Sequence, residues 1–365
     1  MRLAMQQRQR GMSLVEIMVA VMIGLIGILI ITQAYLTNDR FNRSTLGEGG
    51  AQTNGLAALY LVERDARMSG YGLNTSGALG CGNIYWYFDP NYSSNIAGGT
   101  LPNLMLAPVV ITVSGTPSTP DQITIMYSSE AERMLPTTVA AFNSSSSEVT
   151  VDGVDGFKEN DLVLMVNGGG CTLGKITQVQ AAPQKLQINP GVSAPQNPSG
   201  WGLFPTSYAN GDSILNLGNP IVHRYEIGNG KLRLTEGWFV SGTPTTVDLV
   251  DGIVDMRALY GKDDGSVGGT TANDGVVDAY SNVTPATGDQ WLQVLSVRIG
   301  MLARIGNYEK PASGANCDAT TAAPTWTGGS FPAVDIATVT SQDRCYRYRV
   351  FETTVPLRNM IWRPV

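Results

Sequence analysis

The sequence predicts an α+β protein in which one long N-terminal hydrophobic α-helix is followed by a large, mostly antiparallel β domain. Two observations lead to this fold class. Fifteen uncharged, mostly apolar residues run from Ile17 to Ile31, the pattern of a helix that is hydrophobic on all sides. From about Leu73 onwards, short apolar stretches alternate with turn residues, and the 365-residue chain contains 42 Gly and 19 Pro.

A short basic segment precedes the apolar helix and carries three arginines, Arg2, Arg8 and Arg10. Positive charge beside an apolar segment holds that end in the cytoplasm. The first acidic residue is Glu16, and no small-residue cleavage site of the Ala-x-Ala type follows Ile31. We therefore predict that residues 1–11 are a leader, that cleavage falls between Gly11 and Met12, and that the apolar segment is retained.

Residues 12–31 would form a helix about 30 Å long, roughly the thickness of a bilayer core. We predict that they form a transmembrane and assembly helix. A plain N-terminal signal anchor is the alternative, but it does not explain Gly11, Ser13 and Glu16 together. A basic leader, a Gly before the cut and a Glu five residues after it resemble the N-terminus of type IV prepilins.

Helical periodicity continues beyond the apolar segment. Apolar residues recur near helical spacing up to Val62, and Gly70 and Gly72 provide a stop, so we assign 32–72 to a periplasmic continuation of the helix. Four glycines interrupt it, namely Gly47, Gly49, Gly50 and Gly55. Because each interior Gly costs a helix about 1 kcal/mol relative to Ala, we expect a weak or broken helix over Leu46–Gly55. A loop between two helices and a segment that extends when subunits pack in a fibre both fit this pattern.

Residues 73–365 carry the strand patterns of one globular β-rich domain. Ile221–Thr235, with a glycine-rich turn at its centre, predicts a hairpin. Val247–Tyr260 fits either a strand or a short helix, whereas Gln290–Arg304 and Tyr346–Leu357 are the longest late strand candidates. The sequence shows no internal repeat and no linker long enough to require a second domain.

Four cysteines, Cys81, Cys171, Cys317 and Cys345, all lie beyond the apolar helix. An even number of cysteines outside the cytoplasm predicts two disulfides. Three connectivities are open, and the sequence does not choose among them. We favour Cys81–Cys171 with Cys317–Cys345, because each bond then closes a loop within one half of the chain. The chain has no Cys-x-x-Cys spacing and one histidine, so a zinc site is not expected.

The composition argues against nucleic-acid binding and against catalysis. Charged residues make up 15% of the chain and the net charge is −6, so we predict no nucleic-acid contact. A His-based mechanism would depend on His223, which lies in an alternating strand where a structural role is expected. Neither a Gly-x-Ser-x-Gly elbow nor a phosphate-binding loop occurs. We therefore predict no enzyme activity and no cofactor.

An Asp/Gly-rich segment is the one candidate metal site. Its oxygen ligands for calcium would come from Asp263, Asp264, Asn273, Asp274 and Asp278. The EF-hand loop pattern is absent, because Ser, Gly and Thr separate the first two residues from Asn273 and no Glu closes the loop. Asn and Asp beside Gly also form turns without a metal. We assign no metal here, and calcium is the alternative.

Several segments, in their order along the chain, carry a resemblance to a known family. They are Gly11–Glu16, Glu63–Tyr71, Val250–Gly261, Asn273–Asp278, Val294–Arg304 and Arg349–Asn359. The first is typical of all prepilins, and the others resemble a helix end in Arg-x-x-Gly-Tyr, a Tyr-Gly strand before an Asp/Gly-rich turn, and two closing strands. Over nearly its whole length the chain resembles the PilW-type minor pilins of type IV pili, which are related to the J-type minor pseudopilins of type II secretion. Met12 stands where major pilins usually have Phe.

The resemblance implies a pilin-like fold and roles for individual residues. A membrane aspartyl peptidase would cut after Gly11 and methylate the amine of Met12. Glu16 would pair with an N-terminal ammonium, its own or a neighbouring subunit's. In a low dielectric such a pair recovers part of the desolvation cost that either charge alone would suffer.

The resemblance also implies a function: a minor pilin that takes part in the initiation of pilus assembly, lies at or near the tip, and supports pilus biogenesis, twitching motility and adhesion. The implied partners are other minor pilins, the major pilin, the prepilin peptidase, an inner-membrane assembly platform and a tip adhesin. The implied location is the inner membrane, single-pass with a periplasmic C-terminal domain, and then the pilus. A J-type pseudopilin and a membrane-anchored adhesin or binding protein are the alternatives.

Overall fold

The chain divides into two compact units, Met1–Gly50 and Ala51–Val365. The computed structural model describes residues 13–73, 77–81, 84–86, 99–100, 105–129, 135–167, 170–191, 193–197, 208–238, 244–309, 311 and 315–361.

The first unit is helical over its described residues. Its helix is the N-terminal part of α1, Leu14–Met68, which is 55 residues long. The carbonyl of Ser13 accepts the N–H groups of Glu16 and Ile17, which starts the helix. Apolar side chains follow on every face of the helix, and within this unit they are exposed.

Helix α1 is continuous through its glycines, so the prediction of a weak or broken helix over Leu46–Gly55 is wrong. Nucleating a second helix is costly, and strongly helical sequence lies on both sides of the glycines. Gly55 also has a packing role, since a Cβ there would overlap the ring of Phe351. At Gly49 and Gly50 a Cβ would meet nothing within 4 Å.

In the second unit, one face of α1 is buried. The buried positions are Ala51, Gly55, Ala58, Leu59, Val62, Asp65 and Ala66. Apart from the adjacent pairs Ala58–Leu59 and Asp65–Ala66, they recur every three or four residues, which places them on one stripe of a helix. The helix ends at Met68, and Gly70, with φ of +77°, directs its N–H to the carbonyl of Met126 instead of continuing the helix. The sequence had placed this end at residue 72.

Twenty strands follow in the described part of the chain. They are β1 Ile84–Trp86, β2 Gly99–Thr100, β3 Val109–Thr112, β4 Gln122–Ser128, β5 Thr137–Asn143, β6 Glu148–Val151, β7 Leu162–Asn167, β8 Gly170–Lys175, β9 Gln178–Ala181, β10 Gln184–Gln187, β11 Ser213–Gly218, β12 Pro220–Gly228, β13 Lys231–Glu236, β14 Thr245–Asp251, β15 Ile253–Lys262, β16 Ala279–Ser281, β17 Val294–Arg304, β18 Thr325–Trp326, β19 Gly329–Ser330 and β20 Tyr348–Pro356. Two short helices, α2 and α3, span Gly288–Leu292 and Arg358–Ile361, and a 3-10 helix spans Gln342–Cys345.

These strands form four sheets. The nine-stranded sheet has the order β2-β1-β8-β7-β11-β5-β6-β10-β9, the five-stranded sheet β14-β13-β12-β4-β3, the four-stranded sheet β16-β15-β17-β20, and β18 pairs with β19. Apart from the parallel pair β1–β8, the pairings are antiparallel. The predicted fold class, a long apolar helix followed by a large, mostly antiparallel β domain, is therefore confirmed.

Turn chemistry explains where the late strands begin and end. The predicted hairpin is confirmed as β12–β13, and its turn residues Asn229 and Gly230 have φ of 54° and 71°, the left-handed pair that a tight two-residue turn needs. Val247–Tyr260 is neither one strand nor a helix, because Gly252, with φ of 81°, turns β14 into β15. The strand predicted from Gln290 begins only at Val294, since Thr287 caps α2 by accepting the N–H of Gln290.

Three apolar clusters form the core of the second unit. The main cluster joins the buried stripe of α1 to the five-stranded and four-stranded sheets. A second cluster lies within the nine-stranded sheet, whose strands β5 to β11 are inserted between the neighbouring strands β4 and β12. A smaller third cluster packs Trp326 and Phe331 against Leu302 of β17.

Candidate functional site

Glu16 lies in the first turn of α1 and its side chain is exposed. A carboxylate is favoured there because the unpaired N–H groups give a helix N-terminus a partial positive charge. The predicted processing residues, Gly11 and Met12, lie outside the described residues. The structure therefore describes the helix turn that carries Glu16, and the roles of all three residues stay predictions.

Behind Glu16, the apolar surface of α1 is long enough to cross a membrane. Among the described residues, one helix meets that length and composition, Leu14–Asp39, and none of its apolar segment is buried within the structure. Individual side chains show the degree of exposure: Leu14 is 73% exposed, Leu25 58% and Ile31 70%. A contiguous apolar surface of this kind marks a membrane or protein interaction site, because soluble monomers rarely expose more than a few hundred Å² of it.

The structure joins Cys81 to Cys171 and Cys317 to Cys345, the pairing that the sequence argument favours. The first bond spans 90 residues and links the segment that follows α1 to β8 in the nine-stranded sheet. The second spans 28 residues and closes the excursion between β17 and β20, which also contains Trp326.

The Asp/Gly-rich segment is organised by its own carboxylates. Asp263 is fully buried and accepts the N–H groups of Asp274 and Gly275 at 3.2 and 2.7 Å. Asp278 accepts the N–H of Gly265 at 2.6 Å, and the carboxylate of Asp264 accepts that of Ser266 at 3.1 Å. Asn273 has a left-handed φ of 64° and donates its N–H to the carbonyl of Asp263.

In these contacts Asp carboxylates accept backbone N–H groups that a neighbouring strand would otherwise pair, as is common in turns. Among the described residues, no group of three or more His, Cys, Asp or Glu side chains is placed to hold a metal ion. Calcium binding at this segment and the absence of a cofactor both stay predictions.

A second polar cluster was missed by the sequence reasoning. Asp65, in the last turns of α1, is fully buried. Its Oδ2 lies 2.5 Å from Nδ1 of His223 and accepts the hydroxyl of Tyr225 at 2.6 Å, both on β12. Its Oδ1 accepts Nε and Nη2 of Arg64 at 3.2 and 3.1 Å. The spacing of Ala58, Val62, Asp65 and Ser69 by four, three and four residues is the signal that places Asp65 on the buried stripe.

These contacts set the charge state of the cluster. Burial alone would raise the pKa of the Asp65 carboxyl, but hydrogen bonds from His223 and Tyr225 reverse this and hold its pKa below the ordinary value. Burial and the hydrogen bond to Asp65 raise the pKa of the Tyr225 hydroxyl. His223 is 16% exposed, and its Nε2 lies 3.6 Å from a carboxylate oxygen of Glu236. The imidazole therefore connects α1 to the sheet, the structural role predicted for it.

Two protein families match parts of the chain. The prokaryotic N-terminal methylation motif matches residues 6–32, and the type IV pilus-assembly protein W family matches residues 222–359. The two matched segments together cover less than half of the chain, and they support a PilW-type minor pilin. This confirms the resemblance predicted from the sequence. The family and fold of a PilW-type pilin are structural rather than catalytic, and its prepilin motif implies processing by a prepilin peptidase and contact with other pilins.

Among solved structures, a type IV-like pilin from Thermus thermophilus is similar to this chain. The two share 15% sequence identity over 56% of this chain and 87% of that chain, with a TM-score of 0.21. A TM-score this low gives no information about the fold of this chain. No curated protein matches the chain.

Proposed function

We propose that this PilW-type pilin takes part in the initiation of type IV pilus assembly and remains at or near the pilus tip. One observation carries the proposal: in α1, an apolar surface that its own unit leaves uncovered begins with a single carboxylate, Glu16. Such a helix is unfavourable in water and favourable in two other environments, a bilayer and a bundle of similar helices.

These two environments correspond to two stages of assembly. Before assembly, the apolar surface anchors the subunit in the inner membrane as a single span, with residues 32–365 in the periplasm. Cleavage between Gly11 and Met12 frees the amine that pairs with Glu16. When the assembly platform extracts the helix, the major pilin and other minor pilins replace the lipid, at roughly 25 cal/mol for each Å² of apolar surface that stays buried.

The size of the second unit favours a tip position. Ala51–Val365 contains three apolar clusters and four sheets among its described residues, so it forms a bulky head. A bulky head packs poorly when it is repeated along a fibre but is tolerated once at an end. The same position would let the subunit support adhesion through a tip adhesin, and motility through the pilus itself.

The proposal is tested by deleting the gene and complementing with the wild-type chain. We expect loss of surface pili and of twitching motility, intact export of secreted enzymes, and recovery on complementation. Pili are counted by electron microscopy of sheared fractions, and export is measured as enzyme activity in the medium.

Two outcomes would contradict the proposal. Intact pili with failed export would identify a J-type pseudopilin of type II secretion. Intact pili and intact export, with lost attachment, would identify a membrane-anchored adhesin. The chain without residues 1–31 would then retain binding.

A further inference from the structure

The end of α1 is held by three other elements of the second unit. Gly70 donates its N–H to the carbonyl of Met126 on β4 at 3.0 Å. Asn359, in α3, donates from Nδ2 to the carbonyls of Met68 and Ser69 at 3.1 and 3.0 Å. Carbonyls in the last turn of a helix lack partners within the helix, so Asn359 satisfies groups that would otherwise need water.

The third element is β12, which makes the strongest kind of hydrogen bond in this set, one to an ionised carboxylate. The carboxylate of Asp65 accepts from both His223 and Tyr225. Hydrogen bonds to an ionised group are shorter and about twice as strong as those between neutral groups. They are also directional, so they fix both the rotation of α1 about its axis and its position along the sheet.

The apolar part of the same interface is weakly directional. Of the six apolar or glycine positions on the buried stripe, four are Ala or Gly, and only Leu59 and Val62 have larger side chains. Apart from the Phe351 ring, which lies against Gly55, these small side chains interlock little with the sheets, so they resist sliding less than large ones. The polar cluster therefore supplies directional contacts that most of the apolar stripe lacks.

We propose that Asp65 is a positioning residue that locks the register of α1 on the five-stranded sheet and passes the pull on the helix to the head during extraction from the membrane. The first part is a property of the isolated subunit. The second part rests on the proposed function in assembly. The segment Glu63–Tyr71, one of those that carry the resemblance to PilW-type minor pilins, thereby gains a physical role.

The register is tested by a distance measurement on the full chain in detergent micelles. Spin labels are placed at Tyr60→Cys on α1 and Val247→Cys on β14, two side chains that are 63% and 43% exposed. We expect one narrow distance in the otherwise unchanged chain. Asp65→Asn should broaden it or add a population shifted by about 5 Å, one helical turn.

Two further variants make the result specific. Leu59→Ala removes apolar contact from the same stripe and should keep the single narrow distance although it lowers thermal stability. Tyr225→Phe removes one hydrogen-bond donor and keeps the ring, so it should broaden the distance even if Asp65→Asn does not fold. An unchanged distance in both Asp65→Asn and Tyr225→Phe, or equal broadening in Leu59→Ala, would overturn the proposal.

The force-transmitting part has its own readout. In the deletion strain, Tyr225→Phe and Asp65→Asn subunits should reach the membrane in normal amounts but restore pili at least tenfold less well than Leu59→Ala subunits. Normal piliation by variants with a broadened distance would refute force transmission while leaving the register assignment intact. If the deletion itself leaves pili intact, the proposed function fails, and the distance measurement still decides the register.

Discussion

The two ends of helix α1 share one continuous backbone but have opposite surroundings. Over Leu14–Asp39 the apolar segment lies uncovered within its unit, whereas over 51–68 one stripe is buried against sheets of the head. The first region is apolar on all faces and the second on one face only. Side-chain pattern, not helix continuity, therefore decides which part of a helix needs its own domain and which needs a membrane or another subunit.

The largest expected effect comes from placing a charge on matched leucines in the two regions. Leu25 and Leu56 are 58% and 52% exposed. Leu25→Arg should cost about 3 kcal/mol of membrane insertion, because it puts a charge at the centre of the apolar segment. Leu56→Arg should leave insertion unchanged. The membrane-bound fraction after alkaline extraction, measured by immunoblot, would contradict the comparison if both variants behaved alike.

Two glycines of α1 should respond to alanine with opposite signs. Gly55→Ala should destabilise the packing of α1 by about 1–3 kcal/mol, since the added methyl group meets Phe351. Gly50→Ala should stabilise the helix by up to about 1 kcal/mol, because nothing lies within 4 Å of the new Cβ and Ala is the better helix former. Amide hydrogen exchange along the helix measures both effects. Slower exchange in Gly55→Ala than in the wild type would show that Gly55 and the Phe351 ring do not approach closely.

A smaller effect concerns pH. The pKa of Asp65 is held below its ordinary value, so the folded state binds this proton less readily than the unfolded state does. The stability contributed by its ionised form is complete above the ordinary pKa of about 3.9 and is lost as pH falls through the lower folded-state pKa. Denaturant unfolding between pH 5 and about 2 should thus show a shallower acid decline for Asp65→Asn than for the wild type. Parallel declines would mean that Asp65 does not carry this linkage.

The sequence predicted the features that depend on periodicity and on strong turn signals. The apolar helix, the β12–β13 hairpin and the antiparallel head all follow from such patterns. Continuity of α1 through Gly47–Gly50 was missed, because per-residue helix costs neglect the cost of nucleating a second helix. The start of β17 was missed because the cap at Thr287 lies outside the apolar run.

The two acidic residues of the candidate site, Glu16 and Asp65, also differ in whether the sequence reveals them. Glu16 stands out in sequence because it is the one acidic residue among residues 1–38 and lies at the edge of a long apolar segment. Asp65 does not stand out, since it lies among Glu63, Arg64 and Arg67 and reads as part of a solvated face. Its partners are 158 and 160 residues away along the chain, and only the fold brings them together.

The most direct test of the central claim compares two acidic residues of α1. Glu16 begins the uncovered apolar surface, and Glu48 lies further along the same helix, beyond Asp39. Each is replaced by Ala in the deletion strain, at matched expression, and sheared pili are quantified. The account predicts that Glu16→Ala fails to restore pili and that Glu48→Ala restores them to the wild-type level. Full piliation by Glu16→Ala would contradict the claim that this carboxylate and the apolar surface behind it form the assembly site.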